Sequence, residues 1–303
     1  MSVDDRLLTG MGVLAAVVRG GGFAAAGKSL GMSQSGVSRA IARLEARLGV
    51  RLLERTTRSV ALSDEGRRLY EQIVPLLTGL EDAAASVARG KAAVRGRLRV
   101  NIGPFFSQLI PGQQLGRFLR QYPELNLELI TREQLGDLVA EGFDMAIRFG
   151  ELPPSSLVAR KLLEARVLTV AAPSYLKRHG HPKSPAELMS GKHTLIDFRD
   201  PLTGKPFEWI FVQGKKEVQV ATQAQLLLSD IATMYATCLA GYGIAQMLDV
   251  GLEGMLASGK LVELFPEWRD ERFPLYAVYP SRQHLSLKTR AFLDFVVAVT
   301  GSR

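Results

Sequence analysis

The chain has 303 residues, 47% of them apolar, and a formal net charge of +8, enough for about two domains with packed cores. One cysteine, Cys238, excludes an internal disulfide framework and fits a reducing compartment. The acidic start "MSVDDRLLTG" lacks the basic region of a secretory signal, and the apolar run 11–18 is too short to span a bilayer, so a cytoplasmic protein without a membrane partner is expected.

The charge is unevenly spread. Residues 1–99 hold 16 Lys+Arg against 9 Asp+Glu, whereas residues 100–303 hold 22 against 21. Such asymmetry points to a polyanion contact in the first third, or else to a merely solvated basic domain. Along that third, Leu7, Leu8, Met11, Leu14, Ala15 and Val18 recur at helical spacing and stop at Gly20-Gly21-Gly22. A short helix over 24–30 and a turn at Gly31-Met32 follow. Next, Val37, Ile41, Leu44 and Leu48 make one apolar stripe of a helix capped by Ser33 and stopped by Gly49. On the opposite side cluster Ser35, Arg39, Ala42, Arg43 and Ala46, with Arg47 at the edge. A solvated face usually mixes Glu with Lys, and here only Glu45 interrupts.

Helix, tight turn and second helix form the helix-turn-helix pattern. Ser33, Gln34, Ser35 and Ser38 supply hydrogen-bonding ends near the start of the second helix, suited to base edges, while Arg39 and Arg43 suit phosphates. The apolar runs 52–53 and 60–62 predict a hairpin whose tip carries Arg55, Thr56, Thr57 and Arg58, within reach of a backbone or minor groove.

Ser63 can cap a further helix, in which Leu69, Ile73, Leu77, Leu80, Ala84 and Val87 recur every ~3.5 residues, a coiled-coil-like seam. Pro75 inside it should bend the helix or remove one backbone bond. The basic run 89–99 reads as a hinge. Beyond it, "LRVNIG", "LELIT", "DMAIRFG", "RVLTVAAPS" and "PLYAVYPS" read as strands. Helices are expected between them at 109–121 and 134–141, at 230–239, and at the C-terminus around Phe292, Phe295 and Val296. Alternation of strand and helix predicts an α/β domain with a largely parallel sheet.

The segment "FAAAGKSLGMSQSGVSRAIARLEARLGVRLLERTTRSVALSDEG" resembles the winged helix-turn-helix of LysR-type transcriptional regulators. The Ser-Gln start, Val-Ser, Leu-Glu, Leu-Gly, Leu-x-Arg-Thr-Thr-Arg and Ser-x-x-Gly appear in order. The family often has Pro-Ala where this chain has Ser35-Gly36, and a helical glycine costs up to ~1 kcal/mol relative to alanine. "FDMAIRFGELPPSSLVARKL" and "LAGYGIA" extend the resemblance weakly over the rest of the chain. It implies a winged helix-turn-helix (1–62), a linker helix pairing two subunits (63–90), and a bilobed, periplasmic-binding-protein-like effector domain (91–303). Lobe I would comprise 91–161 and 267–303, and lobe II 162–266. The implied partners are double-stranded operator DNA, a small-molecule effector, RNA polymerase and further copies of the chain, as homodimer or homotetramer.

In open α/β lobes, ligands bind outside the carboxyl ends of strands. In such a fold, Phe105, Phe106, Ser107, Arg132 and Arg148 would converge with Phe198 and Ser229. Arginine beside aromatic rings suits an anionic effector, such as an aromatic carboxylate. Each of these residues also has a purely structural reading. No catalytic constellation, cofactor motif or metal set emerges. His179-Gly-His181 lacks a well-spaced carboxylate or cysteine, and "GYGIA" follows a helix rather than a strand. The alternative is the same DNA-binding unit fused to an enzyme or an assembly scaffold.

Overall fold

The computed structural model describes residues 4–55, 60–89, 94–155, 157–222, 224–280 and 285–301. The chain begins with α1 (Asp5–Gly20), α2 (Phe23–Leu30) and α3 (Gln34–Leu48). The antiparallel hairpin β1 (Leu53–Arg55) and β2 (Val60–Leu62) and the long helix α4 (Asp64–Arg89) follow. Val13, Leu14 and Val17 of α1 pack with Val37, Ile41 and Leu44 of α3 in one core. Leu48, expected on the same stripe, is 37% exposed because it is the last residue of its helix. Glu45, the one acid that interrupts the basic face, is a tie rather than a surface charge: its Oε1 accepts the backbone N–H groups of Leu52 (2.8 Å) and Leu53 (3.2 Å). It thereby fixes where the hairpin leaves α3.

Ser63 caps α4 by accepting from the Gly66 N–H at 3.0 Å, and its hydroxyl donates to the Arg51 carbonyl at 2.6 Å. Helix α4 runs through Pro75 as one element of 26 residues. Tyr70 and Ile73 are buried against the N-terminal unit, while Leu76 and Leu80 are 51% and 58% exposed. The expected seam positions Ala84 and Val87 have side chains outside the described residues; of the hinge expected over 89–99, residues 90–93 also lie outside them, and 96–99 are instead the start of a strand.

The remainder is built on one mixed sheet. Strands β3 (Gly96–Ile102), β4 (Leu125–Thr131) and β5 (Met145–Phe149) are parallel, with α5 (Pro104–Leu109) and α6 (Gly112–Gln121) between the first two. The 14-residue strand β6 (Val158–Ala171) then carries the chain into a second lobe. That lobe contains α7 (Pro173–His179), β7 (Leu195–Phe198), the hairpin β8 (Trp209–Gln213) and β9 (Lys216–Val220), and β10 (Leu226–Leu228). It continues with α8 (Ile231–Leu239), β11 (Ile244–Leu248), α9 (Glu253–Ala257) and β12 (Val262–Leu264). Strand β13 (Arg272–Tyr279) crosses back antiparallel to both β6 and β5, and α10 (Leu287–Gly301) closes the first lobe. Phe106, Phe118, Phe292 and Val296 belong to the first lobe's core, and Tyr175, Trp209, Met234 and Cys238 to cores of the second.

Three expectations need correction. The sheet is parallel only in the outer part of each lobe, because β6 and β13 run antiparallel at the crossing. The helix expected over 109–121 begins at Gly112, since Pro111 separates it from α5. No helix forms over 134–141. That segment is a turn, with Gly136 and Gly142 at φ +64° and +68° and the Asp137 carboxylate accepting from Ala140 N at 2.9 Å. Two left-handed glycines and a side-chain cap outcompete the apolar spacing of Leu138 and Val139. The turn also meets the N-terminal unit: Val139 joins its core, and Arg67 of α4 pairs with Asp137.

Candidate functional site

Helix α3 presents Ser33, Gln34, Ser35, Arg39, Ala42 and Arg43 to solvent, with Ser38 half-buried. Ser33 Oγ accepts from Gly36 N at 3.1 Å and lies 3.1 Å from Ser35 Oγ. This cap offsets part of the cost of glycine in the first turn, where a Cβ would sit 3.2 Å from the same oxygen. Arg39 and Arg43 each return one N–H along the helix, to Ser35 O (3.4 Å) and Arg39 O (3.3 Å). Among the described residues neither meets a carboxylate, whereas Arg47 is paired with Asp4. The exposed edge of α3 thus ends in two unneutralised guanidinium groups above a buried apolar seam. Of the hairpin tip, Thr56, Thr57 and Arg58 and the side chain of Arg55 lie outside the described residues.

Between the lobes lies a cleft lined by Phe105, Phe149 and Arg148 from one side and by Phe198, Arg199, Phe207 and Ser229 from the other. Phe105 meets Phe198 across the divide, ring centroids 5.1 Å apart. Phe273 continues the wall, stacking on Phe149 (6.2 Å) and meeting Phe207 edge-on (5.9 Å). Arg148 is buried, and burial pulls its guanidinium below its ordinary pKa, though arginine stays cationic. It donates to the carbonyls of Arg132 (3.3 Å) and Glu133, which aim the group and leave other N–H donors available. Arg199 reaches across to Glu133 at 3.3 Å.

Four of the seven residues predicted for an effector therefore share this cleft: Phe105, Arg148, Phe198 and Ser229. The other three do not. Phe106 is fully buried in the first lobe's core because it follows Phe105 on α5 and faces the opposite way. The Ser107 hydroxyl donates to its own helix, to Pro104 O at 2.7 Å. Arg132 pairs with Glu141 and lies 5.0 Å over the Phe143 ring, held by the 134–143 turn. The helix start expected at Ser229 belongs to Asp230, whose carboxylate accepts from Thr233 N at 2.7 Å. Sequence reasoning missed Arg199, Glu133, Phe207 and Phe273. Only the aromatic density of "PFEWIF" and "RFPLY" hinted at the last two.

A winged helix-turn-helix on a long helix, joined to a bilobed domain with an aromatic, basic cleft, defines a DNA-binding regulator with its own small-molecule sensor. Residues 8–67 match the family model described as "Bacterial regulatory helix-turn-helix protein, lysR family", and residues 91–301 match "LysR substrate binding domain". The chain is 34% identical over 282 residues to the uncharacterized HTH-type transcriptional regulator YcaN of Escherichia coli, covering 93% of this chain and 91% of that one. It is 33% identical over 292 residues to the HTH-type transcriptional regulator CrgA of Neisseria meningitidis, covering 96% of each. The solved structure of CrgA, a LysR-type transcriptional regulator from Neisseria meningitidis, superposes with a TM-score of 0.61 at 31% identity over 99% of this chain and 100% of that one. The chain belongs to the LysR family and is a transcriptional regulator rather than an enzyme. Among the described residues no helix is long and apolar enough to cross a membrane.

Proposed function

We propose that the chain binds operator DNA in the cytoplasm as a homodimer or homotetramer and adjusts that binding when an anionic, aromatic or apolar effector fills the interlobe cleft. Ser33, Gln34, Ser35, Ser38, Arg39 and Arg43 would meet the major groove, and Arg55, Thr56, Thr57 and Arg58 the adjoining backbone. The observation that carries the effector reading is the buried Arg148, aimed by two backbone carbonyls into a cleft walled by phenylalanines from both lobes. Leu76 and Leu80, one helical turn apart and both exposed on α4, support subunit pairing through that helix. The division into 1–62, 63–90 and 91–303 follows this reading, as does a contact with RNA polymerase at the promoter. The 134–143 turn touches both α4 and the N-terminal core, so a ligand that prefers one arrangement of the lobes would be felt at the DNA-binding unit through it.

Fluorescence anisotropy on the intergenic DNA upstream of the chain's own gene tests the first half; sequence-independent binding at moderate salt refutes it. A thermal-shift screen of aromatic carboxylates tests the second. Arg148→Met should abolish the ligand-induced shift while sparing DNA affinity, and an undiminished shift removes Arg148 from the site.

A further inference from the structure

Beside the aromatic wall lies a second, partly open pocket at the crossing strands. It shares Phe105, Phe198, Phe207 and Phe273 with the front cleft, but its polar lining differs in sign: Glu271, Glu208 and Gln246, with no lysine, arginine or histidine among the described residues. Glu271 immediately precedes β13, and its carbonyl accepts from Val167 N of β6 at 3.3 Å, so it sits on the pivot between the lobes. Its Oε2 is cut off from water and has no hydrogen-bond partner among the described residues.

Among the described residues no cation pairs with Glu271. Arg269 turns to Glu263 (3.6 Å) and Arg272 to the Arg269 carbonyl (3.2 Å). Glu208 accepts from Gln219 (2.6 Å), and Glu217 on β9 adds further negative potential. A buried carboxylate oxygen left unmatched is costly; the carboxyl escapes that cost by holding its proton, or by turning to meet a donor on a ligand in the pocket it lines. Ring faces next to a carboxylate attract a cation in particular.

We propose that this hinge chamber is a second subsite that receives a protonated amine on an apolar or aromatic body, with Glu271 as its acceptor and the shared phenylalanines as its walls. This rests on the reading of the front cleft as an effector site and extends it: the complete cavity suits a molecule, or a pair of molecules, anionic at the Arg148 end and cationic at the Glu271 end.

Isothermal titration of the full chain with 2-phenylethylamine, benzoate and 4-(aminomethyl)benzoate decides it. The amine should bind, and Glu271→Gln should weaken it about tenfold while leaving benzoate unchanged. Phe207→Leu, which removes one ring of the wall and leaves the carboxylate, should weaken the amine as well. Arg148→Met should do the reverse, weakening benzoate and sparing the amine. If 4-(aminomethyl)benzoate is weakened by both Arg148→Met and Glu271→Gln, one molecule spans both chambers; if by only one of them, the amine and the anion are separate ligands. Absence of amine binding, or amine binding indifferent to Glu271→Gln, overturns the hinge subsite even if benzoate binds. Glu271-dependent amine binding without benzoate binding upholds the subsite and removes the anionic reading of the front cleft.

Discussion

Replacing Glu271 by glutamine should stabilise the protein in a strongly pH-dependent way. Burial, with Glu217 nearby, pushes the Glu271 carboxyl from 4.5 up to about 7. A carboxyl raised in the folded state holds its proton there after the unfolded chain has released it, so stability falls as pH rises from 4.5 through 7 and levels off only about one unit beyond. The gap corresponds to about 3 kcal/mol at 1.36 kcal/mol per pH unit, an upper figure because relaxation and water reduce it. Glutamine keeps the shape and cannot ionise. The variant should therefore match the parent near pH 4.5 and exceed it progressively toward about pH 8.5, by several degrees in melting temperature. Paired thermal melts across that range are the assay. Parallel curves for the two proteins, or an advantage that grows toward acid, would show that the carboxylate is not desolvated and would undo the reasoning. Saturation with an amine that pairs with Glu271 should restore the parent's stability at high pH and leave the variant unmoved.

Other expectations are simpler. Gly66→Ala places a Cβ inside contact distance of the Leu52 backbone carbonyl, so the junction between hairpin and α4 must shift. A loss of about 2 kcal/mol or more in chemical unfolding is expected, together with weakened DNA binding. Arg39→Ala and Arg43→Ala remove exposed groups and should leave stability within about 0.5 kcal/mol. Operator affinity should fall, with the salt slope reduced by about one per phosphate contact; unchanged anisotropy would return that arginine to a solvated face. Leu80→Glu, at a position 58% exposed in this single chain, should lower the mass seen by light scattering without lowering helix content.

Much of the N-terminal unit is legible in its sequence because its rules are local. The 3.6-residue spacing of Val37, Ile41 and Leu44 identifies the buried face of α3, and Ser33, Ser63 and Gly49 mark helix ends through hydrogen bonds that span only a few residues. The same local reading failed at 134–141, where apolar spacing imitates a helix but glycines at positive φ turn the chain. It also failed to part Phe105 from Phe106, since adjacent residues on a short helix differ only in which way they face.

The sequence by itself determined the family, which faces of α3 are buried and exposed, and most of the alternation of strands and helices, because propensity, capping and period act between near neighbours. The tertiary structure alone decided which arginine reaches the cleft, Arg148 aimed inward while Arg132 is held by Glu141. It alone revealed the pairing of Arg199 with Glu133 and the unmatched Glu271. Those outcomes depend on residues far apart in the chain being brought together where β6 and β13 cross, and on how much water that crossing excludes, neither of which is written in any short stretch of residues.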